Sequence, residues 1–242
     1  MRPIIGLILD EVLDPPKDGS AFSTRPFYAL RMGYFDAVAA AGGAPIAIPY
    51  REDALDDYLK LCDGWLMPGG DYRFRRAWYD KLPPSGVDAP SLRRDFEIAA
   101  ATRILGADAP FLGICNGMQV MAGVTGGRLS YFGQVPRPGG GVMHGDPAAG
   151  LARHAVTLDP ASQLAGIYGA TSIETNSAHK EDVVAAGPGV AIAARAEDGT
   201  VEAVEIAGKR FAIGVQWHPE LDPDKPHPLF KALVDAARAT RS

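Results

Sequence analysis

Short apolar runs alternate with helix-forming patterns through the first half of the chain, and that alternation restricts the fold more than any other feature. Strand-like runs stand at residues 3–9, 44–48, 64–67 and 110–114, with helical patterns at 53–61 and 92–105. This is the pattern of a parallel sheet covered by helices. After the first run, Thr24 or Arg25 can cap a helix whose first turn holds Pro26. Phe27, Leu30, Tyr34 and Val38 then share one face, and Gly42-Gly43 closes the helix. The run at 64–67 enters a tight turn, Pro68-Gly69-Gly70-Asp71, and residues 72–90 read as an aromatic, Arg-rich and then Pro-rich surface excursion. The second half reads differently. Strands are expected at 153–158, 171–175, 190–196, 200–206 and 211–217, with a hairpin turn at 207–210 and a closing helix at 227–241. The expected fold class is α/β, a mixed, mostly parallel sheet flanked by helices, in a single domain over residues 1–242.

Composition narrows the class of function. The chain has 242 residues, 47% hydrophobic and 22% charged, enough to bury a full core. A net charge of -5 gives no electrostatic reason to expect nucleic acid or an anionic membrane as partner. No apolar run approaches the roughly 20 residues of a membrane span. The first residues read as a buried strand, not a secretory leader. The two cysteines, Cys62 and Cys115, form no CxxC pair, which excludes a disulfide framework and fits a reducing cytoplasm. Each thiol therefore needs its own explanation.

Gly113-Ile114-Cys115-Asn116-Gly117 has the spacing of a nucleophile elbow. The turn between strand and helix is so sharp that the positions two before and two after the nucleophile have no room for side chains. An apolar strand precedes Cys115 and a helix-forming run follows, and a cysteine at a helix N-terminus gains thiolate character. Taken alone, the pattern fits a core thiol between packing glycines equally well. The second motif is Val215-Gln216-Trp217-His218-Pro219-Glu220. Residues two apart in extended chain share a face, and Pro219 pushes His218 toward extended geometry. His218 can then be held in one tautomer by Glu220 with its other nitrogen turned to a nucleophile. Cys115, His218 and Glu220 could instead supply mixed metal ligands, but no second His or Cys lies at a ligand spacing, so neither metal nor cofactor is expected. Acyl transfer also needs N–H donors for the developing oxyanion. The Asn116 N–H and the Pro68-Gly69-Gly70-Asp71 turn are the candidates.

With these motifs in place, the chain resembles class I glutamine amidotransferases, and more closely the free-standing γ-glutamyl-γ-aminobutyrate hydrolase type. The resemblance runs through Arg2-Pro3-Ile4-Ile5-Gly6, Ala41-Gly42-Gly43-Ala44-Pro45, the Pro68 turn, Arg94-Asp95-Phe96-Glu97, the Cys115 block extended to Gln119, Asn176-Ser177-Ala178-His179 and Gly214 to Glu220. It implies a flavodoxin-like sheet, a Cys115–His218–Glu220 triad, and oxyanion donors at Gly70 and Asn116. It implies a small-molecule γ-glutamyl substrate whose head is held by Gln119, Asn176, Ser177 and His179. Three features depart from the family pattern: Asn116 stands for the usual Arg, Lys180 stands for a second His, and the Gly- and Pro-rich stretch 128–145 lacks the usual acidic pattern. They leave the departing amine open. The implied activity is γ-glutamyl amide hydrolysis; the alternative is a glutaminase subunit feeding ammonia to a separate synthetase. Arg73, Arg75 and Arg76 belong to a solvated loop or meet a substrate carboxylate, and the 72–90 excursion can wall a pocket or serve as a homodimer contact.

Overall fold

The computed structural model describes residues 1–18, 22–132, 141–145, 151–222 and 228–240. Nine strands among them form one sheet. From one edge, Ala44–Ile48, Ile4–Ile8, Gly64–Met67, Phe111–Ile114 and Ala212–Val215 run parallel to their neighbours. Beyond Ala212–Val215, the strands Val201–Ile206, Val190–Ala196, Ala152–Leu158 and Ser172–Ser177 pair antiparallel. This is the mixed, mostly parallel sheet flanked by helices that the sequence predicts.

The parallel strands are continuous apolar runs because helices cover both their faces. On one face, Ile5, Leu7, Leu66, Leu112, Ile114 and Val215 pack with side chains of the helices Met32–Ala40 and Pro228–Ala239. On the other, Trp65, Met67 and Phe111 pack with Leu92–Gly106 and Asn116–Val124. Among the described residues no helix is long and apolar enough to cross a membrane.

Three expectations change. The helix predicted from Pro26 begins only at Met32, because Phe27–Ala29 pairs as a short strand with Asp10–Val12. Aromatic edge contacts of Phe27 with Phe22 and of Tyr28 with Tyr50, at 5.6 and 5.0 Å between ring centres, favour that extended segment. Tyr34 and Val38 still point into the core. Second, the 72–90 segment is not wholly superficial: Phe74 is fully buried, and Tyr79–Lys81 joins a small sheet with Arg128–Tyr131 and Glu181–Ala185. Those last two strands were not expected. Third, the helix placed at 53–61 starts with a 3-10 turn, Glu52–Ala54, before Leu55–Leu61. The expected closing helix is Pro228–Ala239; residues 227 and 241, and 133–140 of the Gly- and Pro-rich stretch, lie outside the described residues.

Candidate active site

The C-terminal ends of Gly64–Met67, Phe111–Ile114 and Ala212–Val215 deliver three loops to one point, the place where open α/β sheets bind ligands. The middle loop carries Cys115 at φ 51 and ψ -105, backbone that an L residue rarely adopts. Such a conformation costs on the order of 1–3 kcal/mol and persists only where its surroundings enforce it. Here the Cys115 N–H donates to the Val215 carbonyl at 2.7 Å while the next residue already begins a helix. A Cβ on Gly117 would lie 2.4 Å from the Met67 carbonyl oxygen, and one on Gly113 would lie 2.7 Å from the Gly117 carbonyl. That crowding is the steric reason for the G-x-C-x-G spacing. The first N–H groups of the following helix lack intrahelical acceptors and favour negative charge at the sulfur.

His218 follows the neighbouring strand, and its backbone is fixed from both sides by Asn176. The His218 N–H donates to Asn176 Oδ1 at 2.9 Å, and Asn176 Nδ2 donates to the His218 carbonyl at 2.7 Å. The ring's Nδ1 donates to Glu220 Oε1 at 2.8 Å, with the Glu220 side chain fully buried. Its other face meets the Cys115 sulfur. Burial alone would lower the imidazole pKa, but the Cys115 sulfur and then the Glu220 carboxylate outweigh it and hold the group up to about 10. An imidazolium at neutral pH keeps a proton ready for a leaving group.

The third loop is Gly69-Gly70. Arg93 Nη2 donates to the Gly69 carbonyl at 2.7 Å, and the Gly69 N–H donates to the Tyr34 hydroxyl at 3.1 Å. The chain has no cis peptide among its described bonds. In a planar trans peptide the C=O and the following N–H point opposite ways. Holding the Gly69 carbonyl on Arg93 therefore turns the Gly70 N–H away from Arg93, and Gly70 lines the cleft together with Cys115, Asn116 and His218. Arg93 is itself buried and fixed, through Nε to Glu97 Oε1 at 2.8 Å and through Nη1 to Asp10. Tyr72 donates its hydroxyl to the other Glu97 oxygen. The glycine at 69 is a contact requirement: a Cβ there would lie 2.6 Å from His218 Cε1. Gly69→Ala is thus expected to displace the imidazole and lower kcat about a hundredfold, with the melting temperature little changed; wild-type kcat in a folded Gly69→Ala protein would contradict this.

The cleft holds about 410 Å³ and carries charges of both signs. Arg73 Nη1 sits 3.0 Å from Asp71 and 3.2 Å from Glu181, while Lys180 Nζ sits 3.1 Å from Asp71. Burial pushes the Glu181 carboxyl up to about 7 despite its hydrogen bond from Tyr79.

Of the residues expected to hold substrate, Gln119 and His179 line this cleft. Gln119 already spends its amide N–H groups on the Glu181 carbonyl at 2.9 Å and on Gln216 Oε1 at 3.2 Å. Asn176 and Ser177 do not line the cleft: Asn176 clamps His218, and the Ser177 hydroxyl donates to the His144 carbonyl at 3.0 Å. Of the three arginines only Arg73 reaches the cleft; Arg75 and Arg76 are exposed and pair with Asp95 and Asp88. Cys62 is buried under Gly6, and burial pushes its thiol up to about 12. Sequence reasoning missed Arg93 and the polar part of Tyr34. The signal for Arg93 was its i, i+4 spacing to Glu97, an acid buried completely.

The sequence model of the peptidase C26 family matches residues 3–220. The chain belongs to the peptidase C26 family. This family member is 32% identical to a glutamine amidotransferase-like protein, RP404, of Rickettsia prowazekii, over 98% of each chain. It is 30% identical to the γ-glutamyl-γ-aminobutyrate hydrolase PuuD of Escherichia coli K12, over 79% of this chain and 78% of that one. Its fold is shared with the glutaminase domain of Trypanosoma brucei CTPS, solved with acivicin bound, at a TM-score of 0.63 and 20% identity over 98% and 94% of the two chains. As a C26 protein the chain is an enzyme of the hydrolase and amidotransferase group.

Proposed function

We propose that this enzyme hydrolyses a γ-glutamyl amide through a thioester on Cys115. The observation that carries the reading is the convergence of Cys115, His218, Gly70 and Asn116 on one cleft, with Glu220 bonded to His218 from behind. The Cys115 thiolate adds to the γ-carbonyl carbon, and the carbonyl oxygen takes the negative charge, facing the Gly70 and Asn116 N–H groups. When the tetrahedral species collapses, the C–N bond breaks and the His218 imidazolium gives its proton to the departing amine. The now neutral imidazole takes a proton from water, whose oxygen attacks the thioester. Glutamate leaves and the thiolate–imidazolium pair is restored. Glu220 keeps His218 in the tautomer and orientation this cycle needs. The basic Arg31, Arg73 and Lys180 and the acidic Asp71 and Glu181 suit the carboxylate and ammonium of an α-amino acid head, with Gln119 and His179 on the same wall.

The PuuD likeness favours a γ-glutamyl amine over glutamine as substrate. The test is kcat/KM for γ-glutamyl-γ-aminobutyrate and for glutamine on the purified protein without any added partner. Faster hydrolysis of the larger amide is expected. If neither is cleaved until a synthetase is added, the ammonia-supplying glutaminase replaces this reading.

A further inference from the structure

Beside the catalytic cleft, on the antiparallel half of the sheet, three imidazoles close around one carboxylate. The Glu202 side chain is fully buried, and its Oε1 lies 3.2 Å from His144 Nδ1, 3.5 Å from His154 Nε2 and 3.5 Å from His179 Nε2. His144 Nδ1 and His179 Nε2 are 3.1 Å apart. The outer nitrogen of each ring faces an oxygen: His144 Nε2 meets Asp198 Oδ2 at 2.9 Å, His154 Nδ1 meets the Ala155 carbonyl at 3.2 Å, and His179 Nδ1 meets the Glu181 carbonyl at 3.1 Å. Carbonyl and carboxylate oxygens only accept, so these outer nitrogens carry the hydrogens. In neutral rings the three inner nitrogens then aim lone pairs at one another and at a carboxylate. Such a cluster calls for positive charge at its centre. Neither Glu202 oxygen, nor His154 Nε2, has a well-aligned hydrogen-bond partner among the described residues.

Size and support agree with a metal ion. Ligand bonds of about 2.0–2.1 Å in a tetrahedron place neighbouring ligand atoms about 3.4 Å apart, close to the 3.2 and 3.5 Å that separate Glu202 from His144 and His154, and the ligand atoms of these three residues all lie within 4.8 Å of one another. Outer-nitrogen hydrogen bonds to carboxylate or backbone carbonyl are the usual support of metal-bound histidines. We infer that His144, His154 and Glu202, with His179 beside them, form a binding site for one divalent transition-metal ion, with zinc the best match to imidazole and carboxylate ligands. Ligand spacing along the chain did not reveal it because the four residues come from four separate segments that meet only in the fold. A surface cleft lined by Met143, His154 and Asp198 gives the ion a way in. His179 also lines the catalytic cleft, so the ion would brace that wall and not take part in the chemistry at Cys115.

The test uses Cys115→Ala protein, which removes the thiol of the catalytic cleft as a competing ligand. After stripping with chelator, equilibration with zinc chloride and desalting, elemental analysis is expected to find about one zinc per chain. Cobalt(II) in its place is expected to give the intense visible absorption of a tetrahedral site, and zinc should raise the melting temperature by several degrees. Adding His154→Ala should abolish all three signals, and Glu202→Gln should do the same. His154 lies near the surface, so its loss keeps the test decisive even where Glu202→Gln fails to fold. A folded, stripped protein that retains no zinc would overturn the site, and so would full stoichiometry in the His154→Ala variant. In either case a proton-filled histidine cluster takes its place. Metal content is read without turnover, so it stands or falls apart from the hydrolase reading.

Discussion

Cys115→Ala is expected to lower kcat on the best γ-glutamyl amide by about six powers of ten, the scale on which a hydrolase loses its nucleophile. The fold should survive, because the strained backbone at this position is enforced by Gly113, Gly117 and the Val215 carbonyl, not by the thiol. The same substitution should also change the base. The sulfur is the largest of the influences that raise the His218 pKa to about 10, and burial opposes them. With the sulfur gone, His218 should titrate well below that value, read by NMR of the ring carbon-bound proton. Steady-state kinetics check the first expectation; retained turnover in Cys115→Ala would remove this residue from the mechanism.

Arg93→Met is the second large effect. Freed from the guanidinium, the Gly69–Gly70 peptide can rotate and carry the Gly70 N–H away from the oxyanion. The loss of one such donor costs about two to three powers of ten in kcat, and KM should move little because Arg93 does not line the catalytic cleft. Stability should fall as well, by about 3–5 kcal/mol, since Glu97 would be left as a buried charge without its partner. Arg93→Lys separates the two effects. The ammonium keeps a positive charge beside Glu97 and Asp10 but cannot span the fork of acceptors that Arg93 reaches. It should fold nearly as well as wild type and still lose kcat. Wild-type kcat in the Lys variant would mean that the Gly69 carbonyl needs no guanidinium.

Much of this was legible in the sequence wherever a residue's role is local. The strands at 44–48, 64–67 and 190–196 stand where they were expected, because an apolar run between turn residues states its own limits. The elbow glycines and the His218-Pro219-Glu220 spacing are equally local, and the structure places Cys115, His218, Gly70 and Asn116 on one cleft with Glu220 buried behind His218. What escaped was set by distant contacts. Asn176 looked like a substrate ligand on a polar loop, but its carboxamide matches the two backbone groups of His218, a partner 42 residues away. Arg93 reaches Asp10 and Gly69, 83 and 24 residues away, so nothing beyond its Glu97 neighbour could announce it. The strands Arg128–Tyr131 and Glu181–Ala185 carry polar residues that only their pairing explains.

The central claim is a covalent glutamyl thioester on Cys115, and acid quenching captures it most directly. Purified protein is mixed with excess γ-glutamyl-γ-aminobutyrate, quenched in acid within the first turnover, and weighed intact by mass spectrometry. The account predicts a species heavier by one glutamyl group, located on the peptide containing Cys115, and absent from Cys115→Ala. Rapid hydrolysis with no adduct at any quench time, or an adduct on another residue, would contradict it.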